Sequence, residues 1–134
     1  MRKGMLATLL VLVVLVFCAC GGKISDAKIH TADSKLYTQE EITDAIDAIK
    51  KEFRAEWSGC TLTEIYYAGD ETSQEHQDWA DRNGADEVIV LLSSFDVDSS
   101  GGDGSLNPNS TYANWSWILV RTNKGKWKHV DHGY

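Results

Sequence analysis

Asp96, Asp98 and Ser100 place oxygen-bearing side chains at alternate positions of one segment, with Gly101 next and Asp103 two residues further on. Alternate side chains that turn inward around a sharp glycine bend are what a calcium loop requires. Two features depart from that pattern. The fifth-position ligand is a serine, and the twelfth position, where a bidentate glutamate closes the shell, is Asn107. No flanking helices are expected either, so the competing reading is a solvated, turn-rich loop between two strands. Beyond calcium at Asp96, Asp98, Ser100 and Asp103, no cofactor is expected.

The histidines form a second group. His129, Asp131 and His132 fall together near the C-terminus, and His76 stands apart. His129 with Asp131 has the chemistry of a general base and its orienting acid, yet no partnered nucleophile accompanies them, so no catalytic set is expected beyond these two candidates. In a regular strand His129 and Asp131 share one face and His132 takes the other, which argues against a common zinc site. The third group is aromatic. Tyr112, Trp115 and Trp117 lie on one predicted strand and are the candidate ligand-binding residues, suited to stacking on a sugar ring or a peptide side chain. Tyr66, Tyr67 and Trp127 add to the aromatic content, and the competing account is that all of them fill a small core.

Cysteine chemistry depends on processing. Arg2 and Lys3 precede an apolar run from Met5 to Phe17, and Ala19-Cys20 follows, an arrangement that resembles the bacterial lipoprotein signal. On that reading residues 1–19 are removed and Cys20 carries the lipid, palmitate included, that anchors the chain to the outer face of the cytoplasmic membrane. Phe17, three residues before Cys20, departs from the leucine-like residue usual there. Cleavage removes Arg2 and Lys3 and no acid, so 11 Lys and Arg face 20 Asp and Glu, and the net charge moves from −7 to −9. A domain this acidic is a poor partner for nucleic acid, which selects a basic face. Cys60 is left without a disulfide partner and reads as a buried apolar residue.

These groups need elements to position them. Residues 20–37 lack a sustained period and read as a lipid anchor and flexible tether, and residues 38–134 as one domain. Thr38 and Glu41 form a capping box, and Ile42, Ile46, Ile49, Phe53 and Trp57 form the apolar stripe of a long helix. Cys60 to Tyr67 is a strand whose imperfect alternation predicts a bulge or an edge. A second helix is expected from Ser73, capped by Thr72 and Glu75, to the Asn83-Gly84 stop. Val88 to Leu92 is a strand buried on both faces, Thr111 to Arg121 carries the tryptophans, and a turn at Asn123 to Lys126 leads to a last strand from Trp127 to Asp131. The fold class is α+β, two helices on a curved, mainly antiparallel four-stranded sheet in the order α-β-α-β-β-β.

Gly59-Cys-Thr-Leu-Thr-Glu-Ile-Tyr-Tyr67, Trp79-Ala80, Gly84-Ala-Asp-Glu-Val-Ile-Val90 and the stretch from Phe95 to Tyr112 running into Trp115-Ser-Trp117 resemble segments of small Gram-positive lipoproteins without an assigned task. The element order is similar to a reduced cystatin-like or nuclear-transport-factor-like roll. The resembled fold implies no activity by itself, and the leading expectation is a membrane-tethered, non-enzymatic binding module whose partner is a protein or a cell-wall ligand. An enzyme using His129 and Asp131, or a calcium-responsive loop protein, are the alternatives, since such rolls host several kinds of activity.

Overall fold

The computed structural model of the chain describes residues 21–30 and 32–134. The expected signal segment of residues 1–19 and the expected lipidation site Cys20 lie outside the described residues. Five strands make one sheet: β1 Lys28–His30, β2 Cys60–Tyr67, β3 Glu87–Val97, β4 Thr111–Arg121 and β5 Lys128–Gly133. They lie side by side in chain order, β1 parallel to β2 and the others antiparallel. The helices are α1 Gln39–Glu56, α2 Asp70–Glu75 and α3 Gln77–Arg82.

Helix α1 follows from its local signals. The Thr38 side chain accepts from the Glu41 N–H while the Glu41 carboxylate accepts from the Thr38 N–H, so both arms of the capping box are made. Ile42, Ala45, Ile46, Ile49 and Phe53 are buried against the sheet. The helix ends because the chain must reverse into β2, which Gly59 achieves at φ +77°. A Cβ on Gly59 would meet Ser100 Oγ at 2.6 Å, so both backbone angle and space select glycine there.

Strand β3 is buried on both faces over its first half, as its apolar run predicts. Ile89, Leu91 and Phe95 face α1, while Val88 and Val90 pack with Ala80, Ile118 and Val120 on the opposite face. Helices α2 and α3 cover that second face. The expected single helix is therefore two, and the Thr72–Glu75 capping box is not its start. The helix begins earlier, after Gly69, without a side-chain cap. Asp70 is engaged elsewhere, accepting from Ser34 Oγ, the Lys35 N–H and Tyr67 Oη. The chain breaks helical geometry at His76.

Residues 21–30 and 32–37, expected as a flexible tether, make ordered contacts with the rest of the domain. The Gly22 N–H donates to the Phe53 and Arg54 carbonyls, each at 3.2 Å, and the Lys23 N–H donates to Cys60 O at 2.9 Å. Strand β1 pairs with β2, so the sheet is five-stranded and mixed instead of four-stranded. Tyr37 is buried and donates its hydroxyl to Val88 O at 2.6 Å. These attachments are backbone hydrogen bonds and single side chains, which leave no hydrophobic period in the sequence.

Three bulges shape the sheet. The partners of β2 and β3 shift between Leu62 and Glu64, those of β3 and β4 between Ser93 and Phe95, and those of β4 and β5 between Ile118 and Leu119. In each case one strand carries an extra residue, and side chains three apart come to share a face. The pairs so aligned are Leu62 with Ile65, Tyr112 with Trp115, and His129 with His132. The bulge in β4 sits at Asn114, whose φ of +56° asparagine tolerates better than most residues. Between β4 and β5, Asn123 and Lys124 both have positive φ, the type I′ geometry that matches strand twist.

Candidate functional site

The segment between β3 and β4 is an ordered loop. The Val97 N–H donates to Ser110 O at 2.8 Å and the Asn109 N–H to Asp98 O at 3.0 Å, which closes its neck as in an Ω-loop. Asp98 and Asp103 each accept from the backbone N–H and hydroxyl of the serine two residues on, Ser100 and Ser105. These hydrogen bonds hold both carboxyls below the usual range and keep them ionised. Asp96 accepts from Thr111 Oγ1 at 2.7 Å. At Gly101, φ is +71° and a Cβ would lie 2.7 Å from Leu106 O, so this turn too requires glycine. Leu106 packs onto the main core and pins the loop to the end of α1.

This placement accounts for the loop's acids as turn formers. Among the described residues no three His, Cys, Asp or Glu side chains are grouped as a metal-ligand set, and Asp96, Asp98, Ser100 and Asp103 serve separate local contacts.

The loop does build one wall of a cleft of about 620 Å³, within the range usual for small-ligand sites. Gly102, Asp103, Ser105 and Leu106 form that wall, Glu52, Glu56, Trp57 and Ser58 at the end of α1 form the facing one, and Cys60, Trp115 and His132 complete it. Ring centroids of Trp57 and Trp115 are 5.9 Å apart, and His132 lies 5.2 Å from Trp57. The Trp115 Nε1–H is shielded from solvent and has no hydrogen-bond partner among the described residues. Among the described residues three carboxylates line the cleft, and no lysine or arginine does. Burial, followed by the nearby Asp98 and Asp103 charges, pushes the Cys60 thiol up to about 11, so it stays protonated and unreactive at neutral pH.

The three candidate ligand-binding residues are brought to one face, but they divide in role. Trp117 is fully buried and donates from Nε1 to Ser93 Oγ at 2.7 Å, so it is core. Trp115 lines the cleft, and Tyr112 stacks on Phe95 at 5.2 Å behind it. In a regular strand Tyr112 would face away from Trp115, and the bulge at Asn114 reverses that.

The histidines also move. The β5 bulge turns His132 onto the face of His129, contrary to simple alternation, and the facing nitrogens are 3.2 Å apart. His129 Nδ1 is 3.5 Å from a Glu52 carboxylate oxygen, whereas its contact with Asp131 is to the backbone carbonyl. Glu52, not Asp131, is the acid beside the imidazole. Sequence reasoning missed Glu52, Glu56 and the cleft role of Trp57. Their signal was the i, i+4 spacing of the two glutamates beside the Phe53 and Trp57 stripe.

Burial, and then the charge of His129, lowers the His132 pKa below its ordinary value, against the opposing pull of Asp131 and Glu52. A depressed folded value means that the unfolded chain binds this proton more readily. The associated stability is present above about pH 6.5 and is lost as pH falls through that value and on through the folded one. Urea titrations between pH 7.5 and 5 should show that decline. His132→Phe should flatten it, and an unchanged slope would place the effect elsewhere.

The chain matches no protein-family model, no curated protein and no solved structure.

Proposed function

We propose that this chain is a lipid-anchored domain on the outer face of the cytoplasmic membrane that binds a ligand in the cleft between the end of α1, the 98–109 loop and strands β4 and β5. The observation that carries the reading is the cleft itself, walled by Trp57 and Trp115 and held open by an ordered loop longer than a strand connection needs. Fold alone implies no activity, so the argument rests on this site. In the same reading the architecture is a reduced cystatin-like roll, with α1 laid against one face of a largely antiparallel sheet.

The first described residues lie beside the end of α1 that walls the cleft. Gly21 and Gly22 lie against Phe53 and Arg54, one turn of helix from Glu56 and Trp57. With Cys20 lipidated, no free tether separates domain and membrane, and the cleft is held close to the lipid surface.

Two measurements test the reading. Metabolic palmitate labelling should mark the wild-type chain and not Cys20→Ala, and equal labelling would remove the anchor. With the five tryptophans followed through their indole N–H signals, a cell-wall fragment or peptide that binds should shift Trp57 and Trp115 and leave Trp79 and Trp127 in place. Shifts confined to Trp79 and Trp127 would move the site away from this cleft.

A further inference from the structure

The charge lining the cleft is one-sided. Glu52 and Glu56 stand one helical turn apart on one wall, and Asp103 stands on the other. Asp103 is held ionised by Ser105, and the described lining residues include no lysine or arginine to neutralise any of the three. The basic groups at hand are imidazoles: His132 is itself in the lining, and His129 Nδ1 lies 3.5 Å from Glu52. A carboxylate or phosphate ligand entering here would meet three like charges. A cation would meet three opposite charges and two indole rings, whose faces attract positive charge. The wider groove beside α1 shows the contrast, because Asp44 and Asp47 there face Lys51, Lys124 and Lys126 and the charges offset one another.

We propose that the cleft takes an organic ammonium group, a primary amine or its methylated form, seated against Trp57 and Trp115 with Glu52, Glu56 and Asp103 as counter-charges. The proposal rests on the reading of this cleft as a binding site and names the class of ligand. Each component has its own role. The indoles supply a surface for the N-methyl or methylene groups next to the nitrogen, and the carboxylates supply the charge that a neutral sugar would not use. The whole chain is acidic, with a net charge of −7, which adds long-range attraction for a cation and repulsion for an anion. Such a group is carried equally by a free amine, a lysine side chain or a lipid headgroup, and the chemistry is shared among them.

The test is a tryptophan-fluorescence titration of the full chain in a polyoxyethylene detergent. The probes are tetramethylammonium, Nα-acetyl-lysine methylamide, N-acetylglucosamine and acetate, with sodium chloride as the ionic-strength control. Both ammonium probes should give a saturable change that weakens as salt rises from about 20 to 200 mM, over which the Debye length shortens about threefold. Preference for tetramethylammonium would point to a headgroup-like source and preference for the lysine derivative to a peptide-like one. Glu52→Gln and Glu56→Gln, which keep volume at solvent-facing positions, should each weaken binding about two- to fivefold. Trp115→Leu should weaken it about three- to thirtyfold. Ammonium binding that both glutamine variants leave unchanged would overturn the proposal, as would saturation by N-acetylglucosamine alone; either result would still leave the cleft a binding site. No saturable response to any probe would overturn the proposal and, with indole signals equally unmoved by cell-wall fragments and peptides, the binding reading too.

Discussion

Arg121→Ala is expected to destabilise the fold by about 3–5 kcal/mol, the range for removing one partner of a buried ion pair. The Arg121 side chain is 4% exposed and joins three parts of the molecule. Its guanidinium donates to Glu41 on α1 and to Glu87 on β3, the second at 3.0 Å, and lies 4.2 Å over the Trp127 ring. Alanine would leave Glu41 without its countercharge and Glu87 with only the exposed Lys124, 3.7 Å away, and would open space under Trp127. The pH dependence separates this account from a simple packing loss. In the wild-type protein, the Thr38 backbone hydrogen bond and then Arg121 lower Glu41 to about 2, so its stabilisation is present above the ordinary carboxylate value and is lost as pH falls from about 4.5 toward 2. In Arg121→Ala the stranded carboxylates should favour protonation, and the deficit relative to wild type should shrink as pH is lowered from 7 to 4. Glu41→Gln combined with Glu87→Gln in the alanine background should recover part of the loss at pH 7. A deficit below about 1 kcal/mol would show that the pair behaves as a surface salt bridge.

Trp117→Ala should cost a similar amount, about 3–5 kcal/mol, through the cavity it leaves. Trp117 is fully buried and lies in tilted or edge-on contact with Phe53, Trp57, His129 and His132. It is therefore the floor beneath the cleft's aromatic wall. The indole hydrogen bond to Ser93 Oγ is the smaller contribution, since Ser93 still donates to Trp115 O after the change. Trp117→Phe, which keeps much of the ring, should recover most of the stability and lose about 0.5–1.5 kcal/mol for the missing hydrogen bond. Chemical denaturation reads both. If the two variants were equally destabilised, the hydrogen bond and not the packing would dominate.

The elements legible in the sequence are those set by contacts a few residues apart. Helix α1 carries its capping box and its apolar stripe within its own residues, and Val88 to Leu92 announces burial on both faces by having no polar alternate. The α+β class and the aromatic strand β4 follow from the same local evidence. Imperfect alternation in Cys60–Tyr67 was enough to expect a bulge, because Leu62 and Ile65 are both apolar at an odd spacing. The other two bulges left no such mark. Around Asn114 and Val130 the residues that change face are aromatic or imidazole, and such side chains are at home on either side of a strand.

The site was decided by those silent shifts. Composition picked out His129, Asp131, Tyr112, Trp115 and Trp117, yet alternation paired His129 with Asp131 and set Tyr112 against Trp115. Pairing across strands is a tertiary property, and an extra residue in one strand changes the facing of everything beyond it. That change put His132 beside His129, Glu52 in the place expected of Asp131, and Trp115 opposite Trp57. The contacts of residues 21–30 are illegible in the sequence for a related reason, since main-chain hydrogen bonds to α1 and β2 carry no side-chain signature. Local sequence thus sets which residues are at hand and which elements form, whereas bulges and backbone pairing between distant segments set which of them face one another.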